Sequence, residues 1–143
     1  MKYLLAAILV TVSVCFADGQ PTNNAPQLRV EHRQWEAAHG QIHYRDEFYR
    51  GKEHVLRIFR FQNESTKTWE IWRFYYVDGK VVVIEDDKGS GKPVTVSLIK
   101  DDVTYDAFTR QPDGSVTPLS SEELAKVKAR EKDFFGASYK DPE

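Results

Sequence analysis

The chain's four histidines, His32, His39, His43 and His54, all fall between positions 32 and 54. Imidazole is the commonest metal ligand, so this crowding first suggests a metal centre. The spacing argues against one. His39-x3-His43 straddles the turn expected at His39-Gly40, and the four show no zinc-binding interval. They read as polar and surface histidines of a sheet, and no metal or cofactor is expected.

The acidic stretch Glu85-Asp86-Asp87-Lys88-Gly89-Ser90-Gly91 has the look of a calcium loop. Counting from Asp87, however, the third and fifth positions are Gly89 and Gly91, which offer no side-chain oxygen, and Lys88 repels a cation. A hairpin loop is the better reading. Asp101-Asp102 reads as a tight turn and Asp46-Glu47 as the charged surface of a strand. There is no G-x-S-x-G, no H-E-x-x-H and no phosphate-binding glycine loop. A hydrolase would need carboxylates or histidines that meet only in the fold, so the chain is read as non-enzymatic.

Binding chemistry has a clearer source in TWEIWRFYYVDGKVVV, residues 68–83. Asp78-Gly79 between two strands demands a two-residue type I′ turn, which sets the pairing. Tyr76 then faces Val81, Tyr75 faces Val82, Phe74 faces Val83, Arg73 faces Ile84 and Trp72 faces Glu85. One side of the hairpin gathers Trp72, Phe74, Tyr76, Val81 and Val83, a core face. The other gathers Trp69, Ile71, Tyr75, Val82 and Ile84 around Arg73. A guanidinium in that setting needs a partner, either a carboxylate such as Asp86 or a ligand. Aromatic rings around one polar anchor are the usual make-up of a ligand pocket, so Trp69, Arg73 and Tyr75 are the candidate binding residues.

The elements that must position these residues are short strands. Turn signals recur every ten or so residues from 28 to 117, and the runs between them are rich in Val, Ile, Thr and aromatics. LRVEHRQWEAA allows a helix, but the His39-Gly40 turn favours a first strand. Pro118 to Leu124 is a helix start, with Ser120 as cap, Glu123 completing the capping box and Leu119 placed to staple onto Leu124. Leu124, Val127 and Phe134 or Phe135 share one side, Glu131 interrupts them, and Gly136 ends the helix. Such a helix would pack through its two ends and leave Lys126, Lys128, Arg130 and Lys132 outward. The expected fold is mainly β (α+β), an antiparallel meander of six or seven strands. It would be curled or a half-barrel, with one C-terminal amphipathic helix.

Lys2, the apolar run Leu4 to Val14, and Cys15-Phe16-Ala17 have the order of a secretory signal peptide. The run falls short of the roughly 20 residues that span a bilayer. Cleavage after Ala17 removes the sole cysteine. Lipidation at Cys15 is the less favoured route, because Val14 stands where a lipoprotein signal wants Gly or Ala. Residues 1–17 are then leader, 18–27 a flexible lead-in, and 28–143 one domain. With 20 Lys and Arg against 22 Asp and Glu and no basic patch, nucleic acid is not an expected partner.

The reading is a secreted or periplasmic bacterial module that binds a small apolar ligand, a lipid or an envelope protein through its aromatic sheet face. The alternative is a structural envelope component without a ligand. Exposed edge strands could pair in a homodimer.

Overall fold

The computed structural model describes residues 26–36, 40–63, 65–89 and 91–135, with side chains described to residue 132. The leader, Cys15, His39, Gly136 and the side chains of Phe134 and Phe135 lie outside the described residues. One antiparallel sheet runs in chain order through β1 (Leu28–Glu36), β2 (Ile42–Arg50), β3 (Glu53–Gln62), β4 (Trp69–Val77), β5 (Lys80–Asp87), β6 (Val94–Lys100), β7 (Val103–Arg110) and β8 (Val116–Pro118). The sheet is open, and α1 (Ser121–Phe135) follows it and contacts β7. Among the described residues no helix is long and apolar enough to cross a membrane.

The first element is a strand, and the sheet has eight strands rather than six or seven. The added strand is β8, three residues paired with Phe108–Arg110. It is too short for apolar alternation to register in the sequence.

Left-handed residues make the turns where the sequence placed them. Asp78 and Gly79 have φ of 50° and 73°, and Asp101 and Asp102 have 51° and 60°. Both pairs close two-residue loops of the primed type. The acidic pair at 101–102 is therefore spent on backbone geometry.

The register of the aromatic hairpin corrects the one expected from its turn. Val77 faces Lys80 and Tyr76 faces Val81, but Tyr75 then faces Val83, Phe74 faces Ile84, Arg73 faces Glu85 and Trp72 faces Asp86. Val82 is the extra residue of a β-bulge, and beyond it every β5 side chain changes face relative to an unbroken ladder. Ile84 and Asp86 thus join Trp72 and Phe74, while Val83, Glu85 and Asp87 join Trp69, Arg73 and Tyr75. The first face holds the core: Trp72, Phe74, Ile84 and Ile99 are buried, with Phe59, Phe61, Tyr76 and Val81 packed around them. Each of the four buried side chains contributes about 1.5–3 kcal/mol by burial.

The helix covers this core face at β6 and β7. Its capping box forms as expected, with the Ser120 backbone N–H donating to Glu123 at 2.9 Å and the Glu123 N–H to the Ser120 hydroxyl at 3.3 Å. Among the described side chains it docks through its middle. Val127 and Glu131 are buried, and Glu131 accepts hydroxyl hydrogens from Ser97 and Thr104. Glu131, which breaks the apolar stripe, is the docking anchor. Arg130 is not part of an outward cationic face. Its guanidinium lies 2.8 Å from the Asp86 carboxylate and 4.9 Å from the Trp72 ring centre.

Candidate functional site

The face turned away from the helix carries all three sequence candidates. Trp69, at the start of β4, is 45% exposed. Its ring sits 5.8 Å from that of Tyr44, which reaches it from β2 across the intervening β3. The Arg60 guanidinium lies over Tyr44 at 5.4 Å and donates to Asp46 at 2.8 Å. Asp46 also meets His32 from the edge strand. Two rings, an Arg and a carboxylate thus form one solvent-facing patch, and its rings are held by cross-strand contacts within the sheet.

Arg73 and Tyr75 belong to a second, adjoining cluster whose centre is Glu85. The Tyr75 hydroxyl donates to Glu85 at 3.1 Å, and Arg110 of β7 donates to it at 2.9 Å. Arg73 lies 3.8 Å from Glu85 and 3.3 Å from Asp87. Asp86, the carboxylate expected beside Arg73, is on the opposite face because of the bulge at Val82. Burial, then the neighbouring Glu85 charge, pushes the Tyr75 phenol above its ordinary 10.0. Arg73 and Tyr75 are therefore committed to carboxylates, and Trp69 is the member of the trio presented to solvent.

Beside this cluster is an open depression of about 360 Å³ lined by Asp87, Gly89, Lys92, Arg110, Gln111 and Pro112, among others. Trp69, Arg73 and Tyr75 are not in its wall. Gly89 connects the two places: a Cβ there would stand 2.7 Å from the Trp69 carbonyl oxygen, and its φ is +70°. Only glycine lets the β5–β6 loop press this closely on the start of β4. Half of its lining residues, Asp87, Lys92, Arg110 and Gln111, are charged or polar, and its two carboxylate neighbours, Asp87 and Glu85, both pair with guanidiniums.

The remaining candidates are dispersed. His43 packs among Trp35, Phe59 and Phe61 on the core face, where burial lowers its pKa. His54 lies 2.5 Å from Glu47, also on that face, while His32 is on the other. Asp46 and Glu47, adjacent in sequence, point to opposite faces and cannot act as a pair. Among the described residues no group of three His, Cys, Asp or Glu is placed to hold a metal.

Sequence reasoning missed Glu85, Tyr44 and Arg60. Tyr44 and Arg60 pair directly across β2 and β3, so a register for that hairpin would have brought them together. An unbroken ladder from Asp78-Gly79 sets Glu85 beside Trp72, and nothing in a valine run marks which valine bulges. A third cluster was also missed, where Lys88 lies 2.8 Å from Glu70 and 3.1 Å from Asp86 above the Trp72 ring.

In comparisons with known proteins, no family model, no curated sequence and no solved structure matches this chain.

Proposed function

We propose that this chain is a secreted or periplasmic interaction module, without catalytic activity, that docks an envelope protein on the sheet face turned away from its helix. The observation that carries the reading is the exposed Trp69 held against Tyr44, with Arg60 over the Tyr44 ring. Trp, Tyr and Arg are the residues that dominate binding energy at protein interfaces. Rigid rings fixed by neighbouring strands lose little entropy on docking. The open, half-polar depression suits a small apolar ligand poorly, because such ligands need enclosure. A hydrolase finds little support beside it, since Glu85 and Asp87 are both neutralised by arginines.

A photo-crosslinking residue at position 69 tests the docking in intact cells. The expected result is one discrete cross-linked product that disappears in Arg60→Ala and is absent when the crosslinker sits at Lys128, on the helix. Equal labelling from 69 and 128 would refute the assignment of this face. Mass spectrometry of the mature N-terminus tests the export route: a start at Asp18 supports it, and an intact Met1 contradicts it.

A further inference from the structure

The two edges of the sheet are unlike. The far edge, β8, has three residues and ends at Pro118, which cannot donate a ladder hydrogen bond. The near edge, β1, has nine residues with no proline and no bulge, and seven of the nine are exposed. Among the described residues nothing pairs with its outer side. Edges of this length and regularity are normally blunted.

The charges of β1 are mismatched inward. Across the β1–β2 ladder Glu31 faces Glu47 and Arg33 faces Arg45. Like charges directly opposite one another are destabilising. Arg29 contacts Glu31, but Arg33 has no ion-pair partner among the described residues. The outward side resolves the mismatch if the next strand is β1 of a second copy. An antiparallel pair that keeps corresponding faces together must oppose residues of equal parity. Pairing the whole of Leu28–Glu36 with itself meets this condition and puts the two-fold axis at His32. Glu31 then faces the other copy's Arg33 and Arg33 faces its Glu31, while Arg29 faces Trp35 twice, a cation–π arrangement. One step either way along the parity-matched registers sets Glu31 against Glu31 or Arg33 against Arg33.

We propose that this chain forms a two-fold dimer by joining β1 edges into one continuous sheet, in the register that opposes His32 with His32. The pairing is isologous, so each favourable contact occurs twice. It is independent of the docking face at Trp69, which stays uncovered.

The test is sedimentation equilibrium of the wild type, Glu31→Arg, Arg33→Glu and the double exchange. Each single reversal should weaken dimerisation at least about ten-fold, because each introduces two like-charge contacts. The double exchange should restore it. Thermal melts guard against misfolding: each reversal removes a like-charge pair within the chain, although Glu31→Arg also loses the Arg29 contact, so dimerisation is read only from variants that melt cooperatively. A Cys15→Ser background adds a register probe. His32→Cys should cross-link across the axis, whereas Val30→Cys, about 13 Å from its equivalent by strand rise, should not. A wild type that stays monomeric to about 1 mM, or a dimer indifferent to both reversals, overturns the proposal. Cross-linking at 30 but not 32 overturns the register.

Discussion

Ser97 on β6 donates its hydroxyl to Glu131 on α1 at 2.7 Å, and neither residue has exposed surface. Thr104 donates to the other carboxylate oxygen at 2.6 Å. The contact joins a helix of modest apolar content to the sheet through one acid and two hydroxyls. Truncating the acid strands both donors in a sealed space. Glu131→Ala should cost about 3 kcal/mol in urea unfolding, and Ser97→Ala about 1–2 kcal/mol. The double variant should cost less than the sum, since the two act through one bond. Strict additivity would mean that the helix is held elsewhere.

Asp86 and Glu70 share Lys88 yet respond oppositely to pH. Burial pushes the Asp86 carboxyl above its usual 3.8, and Lys88 and Arg130 recover only part of that shift. Burial acts upward on Glu70 as well, but hydrogen bonds from Lys88 and Asn63, with the charges of Lys88 and Arg130, hold it below 4.5. An acid with a raised folded pKa binds its proton more tightly when folded. Its contribution is full below its unfolded value and lost as pH rises through the folded one. A depressed acid contributes above its unfolded value and loses that as pH falls. Relative to wild type, Asp86→Asn should therefore be less destabilising at pH 7 than near pH 4. Glu70→Gln should be more destabilising at pH 7 than near pH 3.5. Urea melts at these values decide it, and the same trend in both variants would contradict the assignment.

Tyr75 offers a direct reading of the Glu85 cluster. Its phenol is held above 10.0 by burial and by the Glu85 carboxylate. Glu85→Gln removes the negative charge, so Tyr75 should ionise at lower pH than in the wild type. Difference absorbance against a Tyr75→Phe reference isolates this one titration. An unchanged midpoint would show that burial alone sets it.

The two tryptophans that bracket the start of β4 should behave differently. Trp72 is 5% exposed, with Phe74 against it and Lys88 and Arg130 over its ring. Trp72→Ala should cost about 3–5 kcal/mol. Trp69→Ala should stay within about 1 kcal/mol of wild type, because nearly half of the residue is already exposed. A large loss at 69 would make this residue core and remove the main support for a docking face.

Strand positions were legible in the sequence because alternation and turn residues are local signals. Asp78-Gly79, Asp101-Asp102 and the Ser120–Glu123 box each act within four residues of chain, and each forms as read. Face assignment beyond the turn depends on whether a ladder continues unbroken. Val82 in the valine run carries no mark of its bulge, and so an unbroken ladder puts Ile84, Glu85 and Asp86 on the wrong sides. Arg130 and Glu131 depart from the helical pattern for a related reason. A helical wheel shows polarity, whereas the hydroxyls of Ser97 and Thr104 and the carboxylate of Asp86 come from strands far along the chain. Of the candidate trio, sequence placed all three on one face, but the partners that occupy Arg73 and Tyr75 follow from the bulged register.

The bulge at Val82 has two counterparts: Val55 in β3 and Tyr105 in β7 also lack a facing residue where their ladders shift. Elsewhere in a strand, losing one residue turns every side chain beyond it inside out. At these three sites the facing pairs already skip a residue, and the ladder on the strand's other side does not use it. A one-codon deletion at 55, 82 or 105 would thus shorten the chain while keeping each pair in place. Where length variation among natural or selected variants of this sheet is tolerated within strands, it should concentrate at those three codons.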